Sequence, residues 1–253
     1  MGRKGSWLKL SPGRKLVTEM LHHAKRVPSV PVARTCHLGA VAEAREHAAP
    51  SPSWTSLFLR AYGLVCRHHP ELRRAYVPWP YAHLYEHPQS IGAVVIEREW
   101  RRESILLAAK IRCPEELSLM AIDRFLRRFK DAPVKEIGNF RQLLRLGRLP
   151  SLLRRFFFWQ SLYLSGHKRA KRFGTFMVSS YGSLGAEQLH PLTPLTTLLT
   201  FGPISPAGEV VVKLIYDHRV VDGRQIAGCL SDLEQVLQTQ IVMELQDTER
   251  RAA

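Results

Sequence analysis

Residues 210–223 read Val-Val-Val-Lys-Leu-Ile-Tyr-Asp-His-Arg-Val-Val-Asp-Gly, and this stretch decides how the rest of the chain is understood. Its first half, rich in β-branched and aromatic residues, reads as a buried strand ending at Tyr216. Asp217-His218-Arg219 follows at the point where the strand gives out, and Asp222-Gly223 opens a helical pattern with Ile226, Leu230, Leu233 and Leu237 in register. The order strand, His, Asp-Gly, helix sets an imidazole at the end of a rigid element, where a general base is best held. A His followed four residues later by Asp-Gly is a short pattern, and the chain has 11 histidines, so its weight comes from this context.

Outward from that stretch the chain is mixed in character. Ser11 and Pro12 read as the N-cap and first residue of a helix whose inner face carries Leu16, Val17, Met20, Leu21 and Ala24, stopping before Pro28. Residues 30–38 read as a strand. Ser53 caps a second helix running to about His69, with Leu57, Ala61, Leu64 and Val65 inward. Residues 90–97 and 104–111 read as a hairpin around the charged segment Arg98–Glu103. Pro114-Glu115-Glu116 reads as the opening of a third helix, its buried stripe marked by Leu119, Ile122, Phe125, Leu126 and Phe129. Further strands are expected at 174–180, 195–202 and 209–216. Helices and strands do not alternate strictly, which argues against a doubly wound parallel sheet, and no internal repeat is visible.

Several segments, in chain order, resemble the catalytic domain of the dihydrolipoyl acyltransferases of 2-oxoacid dehydrogenases. Asp217 to Gly223 is similar to their signature, and His218 with Asp222-Gly223 matches the part shared with the chloramphenicol acetyltransferases. Gly174-Thr175-Phe176-Met177-Val178-Ser179-Ser180-Tyr181-Gly182 resembles the family's Gly-Thr-Phe strand, and Pro194 to Gly202 its Pro-rich turn and following strand. Arg14-Lys15 and the helix leading to Pro31 resemble its opening, and Trp54 to Leu72, with His69-Pro70-Glu71, its second helix. The resemblance implies a chloramphenicol acetyltransferase-like α/β fold, a mixed sheet flanked by helices, with residues 1–253 as one catalytic domain. It implies His218 as general base, Ser179 as donor to the tetrahedral oxyanion, Asp222 as a mainly structural member of the site, Arg14 as its salt-bridging partner, and Gly223 as support. It also implies a homotrimer, or a higher assembly of trimers, with His218 meeting the serine of a neighbouring subunit.

Two departures qualify the likeness. The chain begins almost at the core, so no lipoyl arm is expected in cis, and the expected donor is an acyl-CoA or acyl-carrier-protein thioester. No bound cofactor or metal is expected. The second departure is an insertion-like stretch at about 139–173, free of acidic residues, where Arg141, Arg145, Arg148, Arg154, Arg155, Lys168, Arg169, Lys171 and Arg172 interleave with a broad apolar set. Phe156, Phe157, Trp159, Arg154 and Arg155 are the candidates there for contact with an anionic membrane surface or an acyl chain. The alternative is a pair of helices packed on the core or on another subunit, with Arg snorkelling outward.

The formal charge of +15 fits the same choice of partners: a phosphate-bearing thioester, an anionic membrane, or solvent alone. Nucleic acid ranks lower, because no binding motif accompanies the charge. The four cysteines, at 36, 66, 113 and 229, are widely spaced and read as reduced thiols of a cytoplasmic protein. No apolar run is long enough for a membrane span. The rival to an acyltransferase is a non-catalytic trimeric or membrane-associated scaffold built on the same fold.

Overall fold

The computed structural model of the chain describes residues 5–252. Helix α1 (Pro12–Ala24) begins where Ser11 Oγ accepts the Arg14 N–H, and strand β1 (Ser29–His37) follows. Helix α2 (Gly39–His47) comes next, then α3 (Trp54–His68), capped by Ser53. A short ribbon, β2 (Arg74–Val77) with β3 (His83–Glu86), separates α3 from the long hairpin β4 (Ile91–Trp100) and β5 (Glu103–Arg112). Helices α4 (Leu119–Asp131), α5 (Gly138–Arg148), α6 (Ser151–Tyr163) and α7 (Gly166–Phe173) follow in succession. The chain then returns to the sheet as β6 (Phe176–Val178), β7 (Thr197–Phe201) and β8 (Glu209–Asp217). Helix α8 (Gly223–Val236), a π turn and α9 (Val242–Ala252) complete it.

Six strands form one sheet in the order β1-β8-β7-β6-β4-β5. The pairs β4·β6 and β6·β7 are parallel and the rest antiparallel, so the sheet is mixed, as the element order implies. Strands alternate their side chains, and one face carries the main core. Phe176, Val178, Leu199, Val212, Leu214 and Tyr216 meet Leu57, Phe58 and Tyr62 of α3 and Ile226, Leu230 and Leu233 of α8 there, all buried. The opposite face carries Met177, Leu198 and Ile215 beneath Leu195 and Phe173. Gly174 sits between α7 and β6 at φ 99°, and a Cβ there would lie 2.8 Å from the Ile91 carbonyl oxygen, so the residue lets the chain leave the helix and enter the sheet at once.

The expected helices at 12–24 and 53–68, the hairpin, and the C-terminal strands and helix are all present. The third helix starts later than its Pro-Glu-Glu opening suggests: Ser118 caps it and accepts the Ala121 N–H, while Phe125 stays exposed. The hairpin is tighter than expected, Trp100 pairing with Glu103 across a turn whose residues Arg101 and Arg102 both have positive φ. That is the sense that matches strand twist, here without glycine. Helix α2 and the β2–β3 ribbon carry no signal of that strength. The basic stretch at 139–173 spans three helices rather than a pair, with Phe140, Leu144, Phe158 and Leu162 buried against the rest of the chain. Among the described residues no helix is long and apolar enough to cross a membrane.

Candidate functional site

The end of β8 is held by a buried carboxylate. Asp217 is fully buried, and its N–H donates to Thr196 O at 2.8 Å, the last rung of the β7–β8 ladder. Its Oδ1 accepts Arg219 Nε at 2.9 Å and the Arg219 backbone N–H at 3.1 Å, while Oδ2 accepts Nη2 at 2.7 Å. The carboxylate thereby folds the chain back over two residues and turns out the residue between them, His218. The backbone N–H of His218 donates to Pro28 O at 3.2 Å, tying it to the α1–β1 connection. Three residues beyond His218, Val221 is buried in the core and anchors the far side of the turn.

His218 is half exposed, and its Nδ1 stands 3.3 Å from Asp222 Oδ1, itself largely exposed. That approach orients the ring electrostatically and leaves Nε2 free to accept a proton. Asp222 is the N-cap of α8, its N–H donating to Gln225 Oε1 at 3.1 Å. Gly223 lies against the ring hydroxyl of Tyr216, where a Cβ would come within 3.1 Å.

Arg14 is elsewhere. It is exposed on α1 and makes no ion pair among the described residues, so the expected Arg14–Asp222 bridge is not formed; the partner Asp222 meets is His218. The buried ion pair of α1 involves other residues. Arg154 of α6 is buried, 3.4 Å from the buried Glu19, and donates from Nη1 to Leu149 O at 2.9 Å. Arg154 is therefore no surface contact for a membrane or an acyl chain, as its position in the basic stretch suggested, because its charge is spent bolting α6 to α1. Arg155 reaches the same carboxylate at 3.3 Å from an exposed position. Phe156 and Phe157 are exposed beside Leu152 and Leu153, and Trp159 is half-buried.

Ser179 is the first residue past β6. Its N–H donates to Leu199 O at 3.0 Å, its side chain is buried, and its hydroxyl makes no hydrogen bond among the described residues. Ser180, which sequence reasoning passed over, shapes the turn beside it: its Oγ donates to Phe201 O at 2.7 Å and accepts the Gly182 N–H at 3.0 Å. The register continues Ser179 across to Val95 on β4 and Ala108 on β5. Val95, Ala108 and Met177 floor an apolar groove of about 200 Å³ roofed by Leu16, Val17 and Met20 of α1. Met177, two residues before Ser179 on the same face of the sheet, and Val95, level with Ser179, both line that cavity, a conjunction that no local sequence pattern announces.

Within one chain Ser179 and His218 do not meet. Asp217 is level with Thr196 on β7, whereas the β6–β7 register continues Ser179 to the level of Thr200. The offset to His218 is about five residues of strand, on the order of 16 Å, and the two strands' separation adds about 10 Å sideways. The serine and the histidine sit at opposite ends of one sheet.

One group of metal-ligand types lies apart from both. Ligand atoms of His69, Glu71 and Cys229 fall within 4.8 Å of one another. His69 Nδ1 is 3.2 Å from Glu71, and Nε2 is 2.7 Å from Asp232. Burial opposes protonation, but these hydrogen bonds outweigh it and hold His69 above its ordinary pKa, while burial pushes the Cys229 thiol up to about 12. The cluster is a clamp between the turn after α3 and α8.

No family model matches the sequence, and no curated protein sequence matches it. Solved structures do. Dihydrolipoamide acetyltransferase from Azotobacter vinelandii superposes with a TM-score of 0.74 at 16% identity, covering 95% of this chain and 94% of that one. A serine, a histidine and an asparagine four residues beyond that histidine have been investigated for their role in its catalytic mechanism. The truncated catalytic core of the 2-oxoacid dehydrogenase complex from Thermoplasma acidophilum gives 0.66 at 15% identity, covering 93% and 99%. The cubic core of a pyruvate dehydrogenase complex gives 0.65 at 16%, covering 95% and 94%. At such identities the likeness is one of fold: a mixed sheet flanked by helices, shared over nearly the whole of each chain.

Proposed function

We propose that the chain is an acyltransferase that works as an assembly of copies, a homotrimer or an assembly of trimers, with each active site formed between two of them. The observation that carries this reading is the placement of Ser179, whose hydroxyl has no hydrogen-bond partner among the described residues, and His218, half exposed and held by Asp222, at opposite ends of the sheet. In a ring of identical subunits one end of the sheet can face the other end of its neighbour. The spacing of histidine and asparagine investigated in the Azotobacter enzyme is also that of His218 and Asp222.

The chemistry follows from the groups. His218 Nε2 removes the proton of a thiol, hydroxyl or amine as that atom attacks the thioester carbonyl. The imidazolium formed is stabilised by Asp222, 3.3 Å from Nδ1. The carbonyl oxygen, gaining charge, accepts the Ser179 hydroxyl, which sits beside an apolar wall and is not committed elsewhere. Collapse of the tetrahedral intermediate expels the donor thiolate, which takes the proton back from His218. The donor is an acyl-CoA or acyl-carrier-protein thioester, the apolar groove beside Ser179 receives the non-polar part of one substrate, and no bound cofactor takes part in these steps.

The test is release of thiol from acyl-CoAs of increasing chain length with a small dithiol as acceptor, wild type against His218→Ala. Release that vanishes in the variant supports the reading. No release above the variant for any CoA or carrier-protein donor overturns it in favour of a scaffold. The exposed apolar stripe of Leu152, Leu153 and Phe156 on α6 would suit that second reading as a contact with membrane or with another copy.

A further inference from the structure

Where α3 ends against α8, the chain gathers the ligand types of a metal site, away from both Ser179 and His218. His69 is the C-cap of α3, and its backbone is fixed on both sides. Its N–H donates to Val65 O at 3.0 Å, and its carbonyl accepts the Leu72 N–H at 3.1 Å. Pro70 then opens a short helical turn that brings Glu71 back to the His69 ring, with Oε1 3.2 Å from Nδ1. Cys229, buried on α8, closes the group from the other helix. Ligand atoms of these three residues lie within 4.8 Å of one another, the only such group among the described residues. At the other ring nitrogen, Nε2 is 2.7 Å from Oδ2 of Asp232, which stands one turn along α8 from Cys229.

Each part has the form that zinc requires. Imidazole nitrogen, carboxylate oxygen and thiolate sulfur are its usual ligands, and three of them leave a fourth position for water. A ligating histidine is ordinarily backed by a carboxylate on its other nitrogen, as Asp232 backs His69. Tetrahedral bonds of about 2.0–2.1 Å set nitrogen and oxygen ligands about 3.3 Å apart, and Nδ1 and Oε1 already stand at 3.2 Å. Sγ of Cys229 has to approach by a distance on the order of 1 Å to complete the set. His69 and Glu71 are partly exposed, which gives an ion a way in. We infer that His69 Nδ1, Glu71 and Cys229 bind one zinc ion, with Asp232 as a positioning residue that accepts the Nε2 proton in a hydrogen bond. Binding exchanges the cation for the Cys229 thiol proton and for any proton on Nδ1, both released to solvent. The ion fastens the end of α3 to α8, the helix that Asp222 caps, so its role is structural and independent of the acyl-transfer reading. The sequence gives no sign of it, because its ligands come from distant parts of the chain and follow no Cys-rich spacing.

The experiment titrates the whole untagged chain with zinc and, as an optical probe, with cobalt(II). The expected result is a tetrahedral cobalt spectrum with a near-ultraviolet thiolate charge-transfer band, displaced by about one equivalent of zinc per chain, and a melting temperature that rises with zinc and falls on chelation. Cobalt held by surface histidines lacks the thiolate band. Cys229→Ser should abolish that band. Glu71→Gln should weaken zinc by about 100-fold or more, and Asp232→Asn by about 10–100-fold with the band retained, the range for losing a carboxylate behind a ligating histidine. Wild type that binds cobalt without a thiolate band, or binds none, overturns the inference, as does a band that survives in Cys229→Ser. The wild-type spectrum decides the matter even where a variant fails to fold.

Discussion

Asp217 and Arg219 form a three-bond clasp across His218: the carboxylate of the one, wholly buried, receives two guanidinium bonds and a backbone bond from the other. The motif's arginine therefore sets the turn that presents the imidazole. Arg219→Met strands a buried carboxylate and should cost about 3 kcal/mol or more, as removal of one partner of a buried pair does. The double variant Asp217→Asn/Arg219→Met should recover part of that loss. Urea denaturation of the two single variants and the double closes the cycle, and strict additivity would show that the clasp carries no coupling.

His218 and Ser179 should respond differently from Arg219. His218→Ala removes a half-exposed ring and should leave stability within about 0.5 kcal/mol, while lowering kcat by about 10²–10⁴ if it is the general base. Ser179→Ala should lower kcat by about 10²–10³ with little change in KM. Steady-state kinetics beside thermal melts separates these from a folding defect.

Mixing distinguishes one chain from two. If each site takes His218 from one copy and Ser179 from another, His218→Ala and Ser179→Ala chains, each inactive alone, should form active sites when co-assembled. Random mixing of equal amounts restores about a quarter of the sites. No recovery after verified co-assembly would show that the residues do not meet across subunits.

A fourth expectation concerns pH. His23 is buried beside Glu19 and Tyr163, with His22, Arg26 and Arg155 nearby; burial, then His22, push its pKa from 6.5 down to about 4, with Glu19 acting against them. Between those values the unfolded chain binds a proton that the folded chain refuses. Stability from this residue is therefore complete above about pH 6.5 and declines as pH falls towards 4. His23→Phe should flatten the urea midpoint across that window, and an unchanged slope would remove His23 from the account.

The parts of this fold that rest on local pattern could be read before folding: the Ser11 and Ser53 caps, the strand ending at Tyr216, and the register of Ile226, Leu230 and Leu233. The start of α4 is not legible locally, because Pro114-Glu115-Glu116 imitates a helix opening whereas Ser118 supplies the oxygen that caps the helix. The ion pair of Glu19 with Arg154 joins residues with no pattern between them, and burial alone distinguishes Arg154 from the exposed Arg155. His218 and Ser179 were visible as chemistry. Their separation within one chain depends on the register of three strands, which no local pattern carries; the family resemblance alone implies that the two meet across subunits.

That register has a kinetic meaning. Under the acyl-transfer reading a lone chain is folded yet catalytically mute, and its chemistry switches on only as copies find each other. Specific activity should then fall on dilution below the dissociation constant of the assembly, with the fold still intact. A cell holding such a chain could set its output through abundance, with a response steeper than proportional, and without any ligand acting as a regulator.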